Sequence, residues 1–156
     1  MANPIFEVGD RVPDWKLESD NEGEISSKRL IGKKYILYFY PKDDTPGCTK
    51  QACGFRDELE SINASGYTVI GISPDGLESH EDFREKYDLN FPLVSDIDHN
   101  VAKSFGVWRE KKNYGKTYVG LVRSTFFVDE EGKFEQIHDN VRATGHVARL
   151  VKKFIK

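Results

Sequence analysis

Tyr35-Ile36-Leu37-Tyr38-Phe39-Tyr40 is an unbroken run of aromatic and aliphatic side chains, and Pro41-Lys42-Asp43-Asp44-Thr45-Pro46-Gly47-Cys48 follows it without a spacer. A short run that is apolar at every position and rich in aromatics reads as a central strand buried on both faces. The turn formers behind it forbid continuation of that strand and predict a loop. From Cys48 onward, Ala52, Phe55, Leu59 and Ile62 recur at steps of three and four, which predicts an amphipathic helix starting near Cys48, with Gly66 just past its end.

Outward from this core, Tyr67–Ser73 reads as a second strand, and Ser79-His80-Glu81-Asp82 resembles a capping box opening a helix with Phe83 and Tyr87. Phe91–Val94 is a short candidate strand and Val101–Phe105 a brief helix. Leu121–Val128 and Lys133–His138 flank Asp129-Glu130-Glu131-Gly132 as a hairpin with a four-residue loop. Thr144 is positioned to cap a last helix whose apolar stripe is Val147, Leu150, Val151 and Phe154. On the N-terminal side, Asp14–Ser26 offers two short strands around Asn21-Glu22-Gly23, whereas Arg109–Gly120, charged and bearing two glycines, reads as a loop. This order implies an α/β fold, a mixed central sheet covered by helices on both faces. With no internal repeat or low-complexity linker, the 156 residues are expected to form one domain, 1–156.

Composition narrows the function. Hydrophobic residues at 38% and charged residues at 31% fit a packed globular chain rather than a disordered one. The 23 basic and 26 acidic side chains leave a net charge of −3, and Lys152, Lys153 and Lys156 form too short a basic tail to serve nucleic acid or an anionic membrane. No stretch approaches the ~20 apolar residues of a membrane span. Met1–Pro13 has neither the basic nor the apolar region of a signal peptide, so the expected location is cytoplasmic. Two cysteines are too few for a secreted disulfide scaffold, and in a reducing compartment thiols serve packing, metals or reactivity.

Reactivity is the reading that fits Cys48. A cysteine at a helix N-terminus meets unpaired amide N–H groups and the positive end of the helix dipole, both of which favour the nucleophilic thiolate. Bringing a cysteine from ~8.5 to ~6 takes about 3.4 kcal/mol, more than the ~2 kcal/mol a helix end supplies, so a cation is expected nearby. Arg123 is the first candidate, because it sits in the apolar run Leu121-Val122-Arg123-Ser124-Thr125-Phe126-Phe127-Val128, where a guanidinium needs an anionic partner or must snorkel to solvent. Arg56, on the Cys48 helix itself, is the second. Cys48 fits a packing role poorly, since Pro46-Gly47 precede it and Thr49 and Lys50 follow, a setting unlike an apolar core.

Cys53 is five residues from Cys48. On a regular helix their Cα atoms are roughly 8 to 9 Å apart, beyond the ~7 Å reach of a disulfide, so a structural cystine is not expected. A redox pair joined by local unwinding and a small packing residue both remain open for Cys53. Zinc is not expected, because His80, His99, His138 and His146 are scattered without C-x-x-C or H-x-x-x-H spacing and read as surface or packing residues. Asp96-Ile97-Asp98-His99-Asn100 starts like a calcium loop but has Val101 and Val107 where that loop needs Gly and Glu. Asn63-Ala64-Ser65 is a glycosylation sequon that matters only in a secreted chain. No cofactor is called for.

Pro41-x-x-x-Thr45-x-x-Cys48, with Arg123 in Arg-Ser-Thr-Phe-Phe-Val-Asp, resembles the active-site signature of the peroxiredoxins. Gly47-Cys48-Thr49-Lys50-Gln51-Ala52-Cys53-Gly54-Phe55-Arg56-Asp57 is similar to the Q-type, or bacterioferritin-comigratory, subfamily, and the similarity covers almost the whole chain, including Lys112–Gly120. The resemblance implies a thioredoxin-like fold with an N-terminal extension. It implies Cys48 as the peroxidatic cysteine, Cys53 as the resolving cysteine in an intramolecular disulfide, Thr45 as the hydroxyl that orients thiolate and peroxide, Arg123 as the guanidinium beside both, and Pro41 as the shield of the pocket. It further implies hydrogen peroxide or organic hydroperoxides as substrates, thioredoxin or a glutaredoxin-like protein as reductant, and a monomer. Two other classes compete on the same residues. One is a disulfide oxidoreductase or redox-regulated binding protein, though a C-x-x-C is lacking; the other is a structural domain with both thiols inert.

Overall fold

The computed structural model describes residues 6–113 and 115–155. Lys156 of the basic tail, Met1–Ile5 and Tyr114 lie outside the described residues. In chain order the elements are β1 (Lys16–Glu18), β2 (Glu24–Ser26), β3 (Lys34–Phe39), α1 (Pro46–Ala64), β4 (Tyr67–Ser73), α2 (Leu77–Tyr87), β5 (Leu93–Ser95), α3 (Asn100–Ser104), β6 (Trp108–Asn113), β7 (Lys116–Leu121), β8 (Ser124–Val128), β9 (Phe134–His138) and α4 (His146–Phe154).

The central sheet runs β5-β4-β3-β8-β9, with β3 parallel to β4, β4 parallel to β5, and both β3–β8 and β8–β9 antiparallel. β3 is its middle strand, and its side chains alternate between two cores. Ile36, Tyr38 and Tyr40 pack with Phe55 and Ile62 of α1, Phe83 of α2 and Val147 and Leu150 of α4. Tyr35, Leu37 and Phe39 pack on the opposite face with Phe105, Val101 and Ala102 around α3, with Phe126 and Phe134 of the sheet, and with Val12 and Trp15 from the N-terminal segment. A strand apolar at all positions is thus what a sheet covered on both faces demands.

Four expectations are corrected. Arg109–Gly120 is not a loop: β6 and β7 form an antiparallel ribbon from Trp108↔Leu121 to Asn113↔Lys116. Much of the ribbon faces solvent, so it has no apolar alternation to betray it, and a lone hairpin is marginal without anchors. Its anchors are tertiary: Arg109 Nη2 donates to both carboxylate oxygens of Asp139 at 2.8 and 3.0 Å, and Trp108 stacks on His99 with ring centroids 3.9 Å apart. Leu121–Val128 is not one strand but two, broken at Val122-Arg123, where the chain crosses from the ribbon to the central sheet. There Val122 N–H donates to Val107 O at 2.7 Å and Val141 N–H to Arg123 O at 2.9 Å.

The other two concern helix starts. Ser79 lies in the first turn of α2 rather than capping it; Gly76 holds the N-cap position, and the Ser79 hydroxyl donates to Asp43 instead. Thr144 likewise does not cap α4, whose N-cap is Gly145 in the left-handed conformation at φ +74, which glycine adopts without a Cβ penalty. Elsewhere boundaries shift by one or two residues, the largest of use being α1, which opens at Pro46 rather than Cys48.

Gly71, in the middle of β4, is required by close packing. A Cβ there would stand 2.9 Å from Leu93 Cδ2 and 3.0 Å from both Cζ and the hydroxyl oxygen of Tyr38. Gly71→Ala is expected to cost about 1–3 kcal/mol of unfolding free energy by overpacking, measurable by urea unfolding; an unchanged midpoint would contradict this placement of Tyr38.

Candidate active site

The site is assembled at the end of β3. Tyr40 N–H makes the last sheet bond, to Ile72 O at 3.0 Å, and Pro41 then offers no donor to extend the ladder. Thr45 takes the N-cap position in an extended conformation, and Pro46 fills the first helical position, where a missing N–H costs nothing. The first helical bond is Thr49 N–H to Thr45 O at 2.8 Å. The amides of Gly47 and Cys48 therefore fall in the first turn, where no carbonyl lies four residues back in the helix.

Cys48 is 1% exposed and packs among Tyr38, Tyr40, Ala52 and Phe55. The expectation that its polar sequence neighbours keep it out of the apolar core is corrected: the third helical position turns inward while Thr49 is half-buried and Lys50 exposed. Arg123 reaches it from the Val122-Arg123 corner. Its Nη2 donates to Cys48 Sγ at 3.2 Å and its Nη1 to Gln51 Oε1 at 2.7 Å. A guanidinium stays protonated, so once half-buried it is stabilised by the acceptors it meets here. Gly47 leaves the room this needs, since a Cβ there would lie 3.3 Å from Arg123 Nη2 and 3.2 Å from Ala143 Cβ.

The remaining sequence candidates are placed as follows. The Thr45 hydroxyl donates to Lys42 O at 3.0 Å, which leaves its oxygen lone pairs free to accept. Pro41 is half-buried in the same loop. Cys53 lies further along the unbroken α1, half-buried, and both sulfurs are free thiols rather than a cystine. Arg56 is not the partner of Cys48: its Nε bonds Asp57 at 2.9 Å and its Nη1 donates to Tyr87 O at 2.6 Å.

Three contributors escaped the sequence. Gln51, completely buried, holds Arg123 toward the sulfur from one turn along α1, and its Nε2 has no hydrogen-bond partner among the described residues. Its one signal was a polar residue on the inward face of the helix. Lys111, on the ribbon, donates from Nζ to Leu121 O at 2.8 Å; burial holds its ammonium below the usual lysine range, the charge of Arg123 acts in the same direction, and Cys48 opposes them. Asp43 and His80 form a buried pair with Nδ1 and Oδ2 2.7 Å apart, so His80 is not a surface histidine. Among the described residues no group of three or more His, Cys, Asp or Glu could hold a metal ion.

His146 opens α4 three residues after Ala143, which lies against Gly47. Its Nε2 is 2.9 Å from Thr125 Oγ1, and burial, with the charges of His138, Arg149 and Arg123, pushes its pKa down from 6.5 to about 4.

The family described as AhpC/TSA matches residues 8–137. Peroxiredoxin Bcp of Bacillus subtilis is 44% identical over 147 residues, covering 94% of this chain and 94% of that protein. Peroxiredoxin Bcp of Escherichia coli is 42% identical over 144 residues, covering 92% of each. Among solved structures, the bacterioferritin comigratory protein of Xanthomonas campestris, described for its alkyl peroxide reduction activity, superposes with a TM-score of 0.85 at 33% identity, covering 96% of each chain. A PrxQ mutant of Xylella fastidiosa superposes with a TM-score of 0.89 at 30% identity, covering 97% of this chain and 96% of that one.

Two expectations follow from the geometry. Arg123→Met keeps an aliphatic stem but removes the charge and both bonds, so alkylation of Cys48 by iodoacetamide at neutral pH should slow by roughly tenfold or more, read on the Cys48 peptide by mass spectrometry. For His146 the unfolded chain takes its proton first as pH falls below 6.5. Stability present above that pH is then lost toward the folded value of about 4, by up to about 3 kcal/mol. Urea unfolding at about pH 7 and about pH 4.5 should show this fall in the parent and a smaller one in His146→Gln.

Proposed function

The chain belongs to the AhpC/TSA family and is a peroxiredoxin, a peroxidase of thioredoxin-like fold, and from that premise we propose that it reduces hydrogen peroxide and alkyl hydroperoxides through Cys48, with Cys53 as resolving cysteine and a thioredoxin-type dithiol as reductant. The observation that carries this reading is the 3.2 Å contact between Arg123 Nη2 and Cys48 Sγ at the first turn of α1. It is supported by the alkyl peroxide reduction of the Xanthomonas relative.

Cys48 thiolate attacks the terminal peroxide oxygen in line with the O–O bond. An S–O bond forms, the O–O bond breaks, and its electron pair leaves on the alkoxide or hydroxide, which takes a proton from solvent. Negative charge moves from sulfur to the departing oxygen along this path, and Arg123, already bonded to the sulfur, together with the first-turn amides, is placed to follow it. The Thr45 oxygen accepts the hydroperoxide O–H, because its own proton is committed to Lys42 O. Pro41 closes the neighbouring loop against water.

The product is the Cys48 sulfenic acid. Cys53 sits on the same helix, too far along it to react in place, so the first turns of α1 must unwind before its sulfur attacks Cys48 Sγ, forming the disulfide and releasing water. A reduced dithiol partner then attacks that disulfide and leaves oxidised itself. Every reacting group belongs to one chain, so a monomer suffices. No helix among the described residues is long and apolar enough to cross a membrane, and we assign the reaction to the cytoplasm, where such reductants are kept reduced.

NADPH consumption with thioredoxin, thioredoxin reductase and peroxide tests this reading. Cys48→Ser should abolish turnover, and Cys53→Ser should spend one equivalent of peroxide and then stall. Mass spectrometry after one equivalent should find the two cysteine peptides linked within one chain. Full activity in Cys48→Ser, or disulfide reductase activity without any peroxide consumption, would replace peroxidase by a thiol–disulfide exchange protein.

A further inference from the structure

The loop between β3 and α1 carries Thr45 and decides where α1 begins, and its Asp44 adopts the left-handed conformation at φ +58. What holds this loop is the buried side chain of Asp43. Its Oδ1 accepts from the Tyr40 hydroxyl at 2.6 Å, and its Oδ2 accepts from the Ser79 hydroxyl at 2.8 Å and faces His80 Nδ1 at 2.7 Å. Its main-chain N–H donates to Asp75 Oδ2 at 2.7 Å, an oxygen that also takes the Ser73 hydroxyl at 2.8 Å. One residue therefore ties the loop to the end of β3, to the chain after β4 and to the first turn of α2.

The protons on this network can be assigned. His80 is 0% exposed, and its Nε2 faces the carbonyl of Val94 at 3.0 Å. A carbonyl only accepts, so Nε2 carries a proton. Asp43 already receives two hydroxyl donors, which suits a carboxylate, so Nδ1 donates as well and the ring is an imidazolium against a carboxylate. Burial alone would lower the His80 pKa; the bond to Asp43 and its charge, with the Val94 carbonyl and Asp75, outweigh it and hold it above the usual value.

Neither residue approaches the sulfur contacts described above, and a buried ion pair is a poor device for stability alone, because desolvation offsets most of its attraction. What three convergent bonds supply is a fixed direction, two residues before Thr45. Resting on the peroxidase reading above, we propose that the Asp43–His80 pair is a positioning element of the reaction: it clamps the loop from Pro41 to Pro46 so that the Thr45 oxygen stays where the hydroperoxide must dock beside Cys48. Arg123, the charged partner of the sulfur, comes from the Val122-Arg123 corner rather than from this loop and does not depend on the clamp.

That separation defines the test. In a Cys53→Ser background Cys48 reacts once, so its oxidation by hydrogen peroxide and its alkylation by iodoacetamide can be timed on the same protein. Asp43→Asn and His80→Ala should slow oxidation by roughly tenfold to a hundredfold, as expected when a reacting partner is misplaced, while alkylation stays within about threefold. His80→Asn, whose amide nitrogen replaces the Nδ1 donor, should restore most of the lost oxidation rate. Tyr40→Phe and Ser79→Ala each remove one donor without emptying the core, should slow oxidation by about threefold, and decide the matter if the larger changes prevent folding. Oxidation at the parent rate in the folded variants overturns the clamp, as does a parallel fall in both reactions or a His80→Asn no better than His80→Ala. A Cys53→Ser parent that is alkylated but ignores peroxide overturns the peroxidase reading itself, and the clamp with it.

Discussion

The site turns on a half-buried guanidinium held against a buried sulfur. Arg123 cannot shed its charge, and removing it from water is costly unless an anion and oriented acceptors receive it. Cys48 Sγ and Gln51 Oε1 accept from it at 3.2 and 2.7 Å. The surrounding features make this meeting possible. The chain breaks its sheet pairing at Val122-Arg123, Gly47 presents no Cβ to the guanidinium, and Val141 N–H pins the Arg123 carbonyl from the segment leading into α4.

The proposed reaction requires the same site to be rigid for one step and yielding for the next. Rigidity comes from the buried polar network behind the loop and from the packing of α1 on the sheet. Helix α4 adds to it, because Gly54 lies so close to Val147 that a Cβ there would be 3.0 Å from that side chain. Yielding is built into the N-terminal turn of α1, which has Gly47 within it, a Thr45 side chain that makes no capping bond, and no acidic residue to complement the dipole. A helix whose first turn is this lightly held can surrender it at modest cost, and that turn is the one that carries Cys48.

Much of this was legible in the residue order. The all-apolar run Tyr35–Tyr40 announced the central strand, because only a sheet covered on both faces tolerates it. The three-and-four spacing of Ala52, Phe55, Leu59 and Ile62 announced α1, and Cys48 behind Thr45-Pro46-Gly47 announced a thiol at a helix start. Arg123 drew notice for a sound reason, a charge stranded among apolar neighbours. The ribbon of β6 and β7 stayed hidden, since strands with much of their surface in water show no alternation, and their anchors, Asp139 and His99, lie far off in the chain.

Local chemistry along the chain therefore determined the buried strands and the helices, though not the ribbon, and which sulfur starts a helix, because periodicity and turn propensity act between neighbours. Tertiary structure alone decided that Arg123 rather than Arg56 meets the sulfur, that Gln51 steadies it, and that Ser79 and His80 serve Asp43 instead of capping α2. Those choices rest on hydrogen bonds spanning 36 to 75 residues. A directional bond depends on where two backbones have been brought by the packing of the whole sheet, and no pattern local to either partner encodes that.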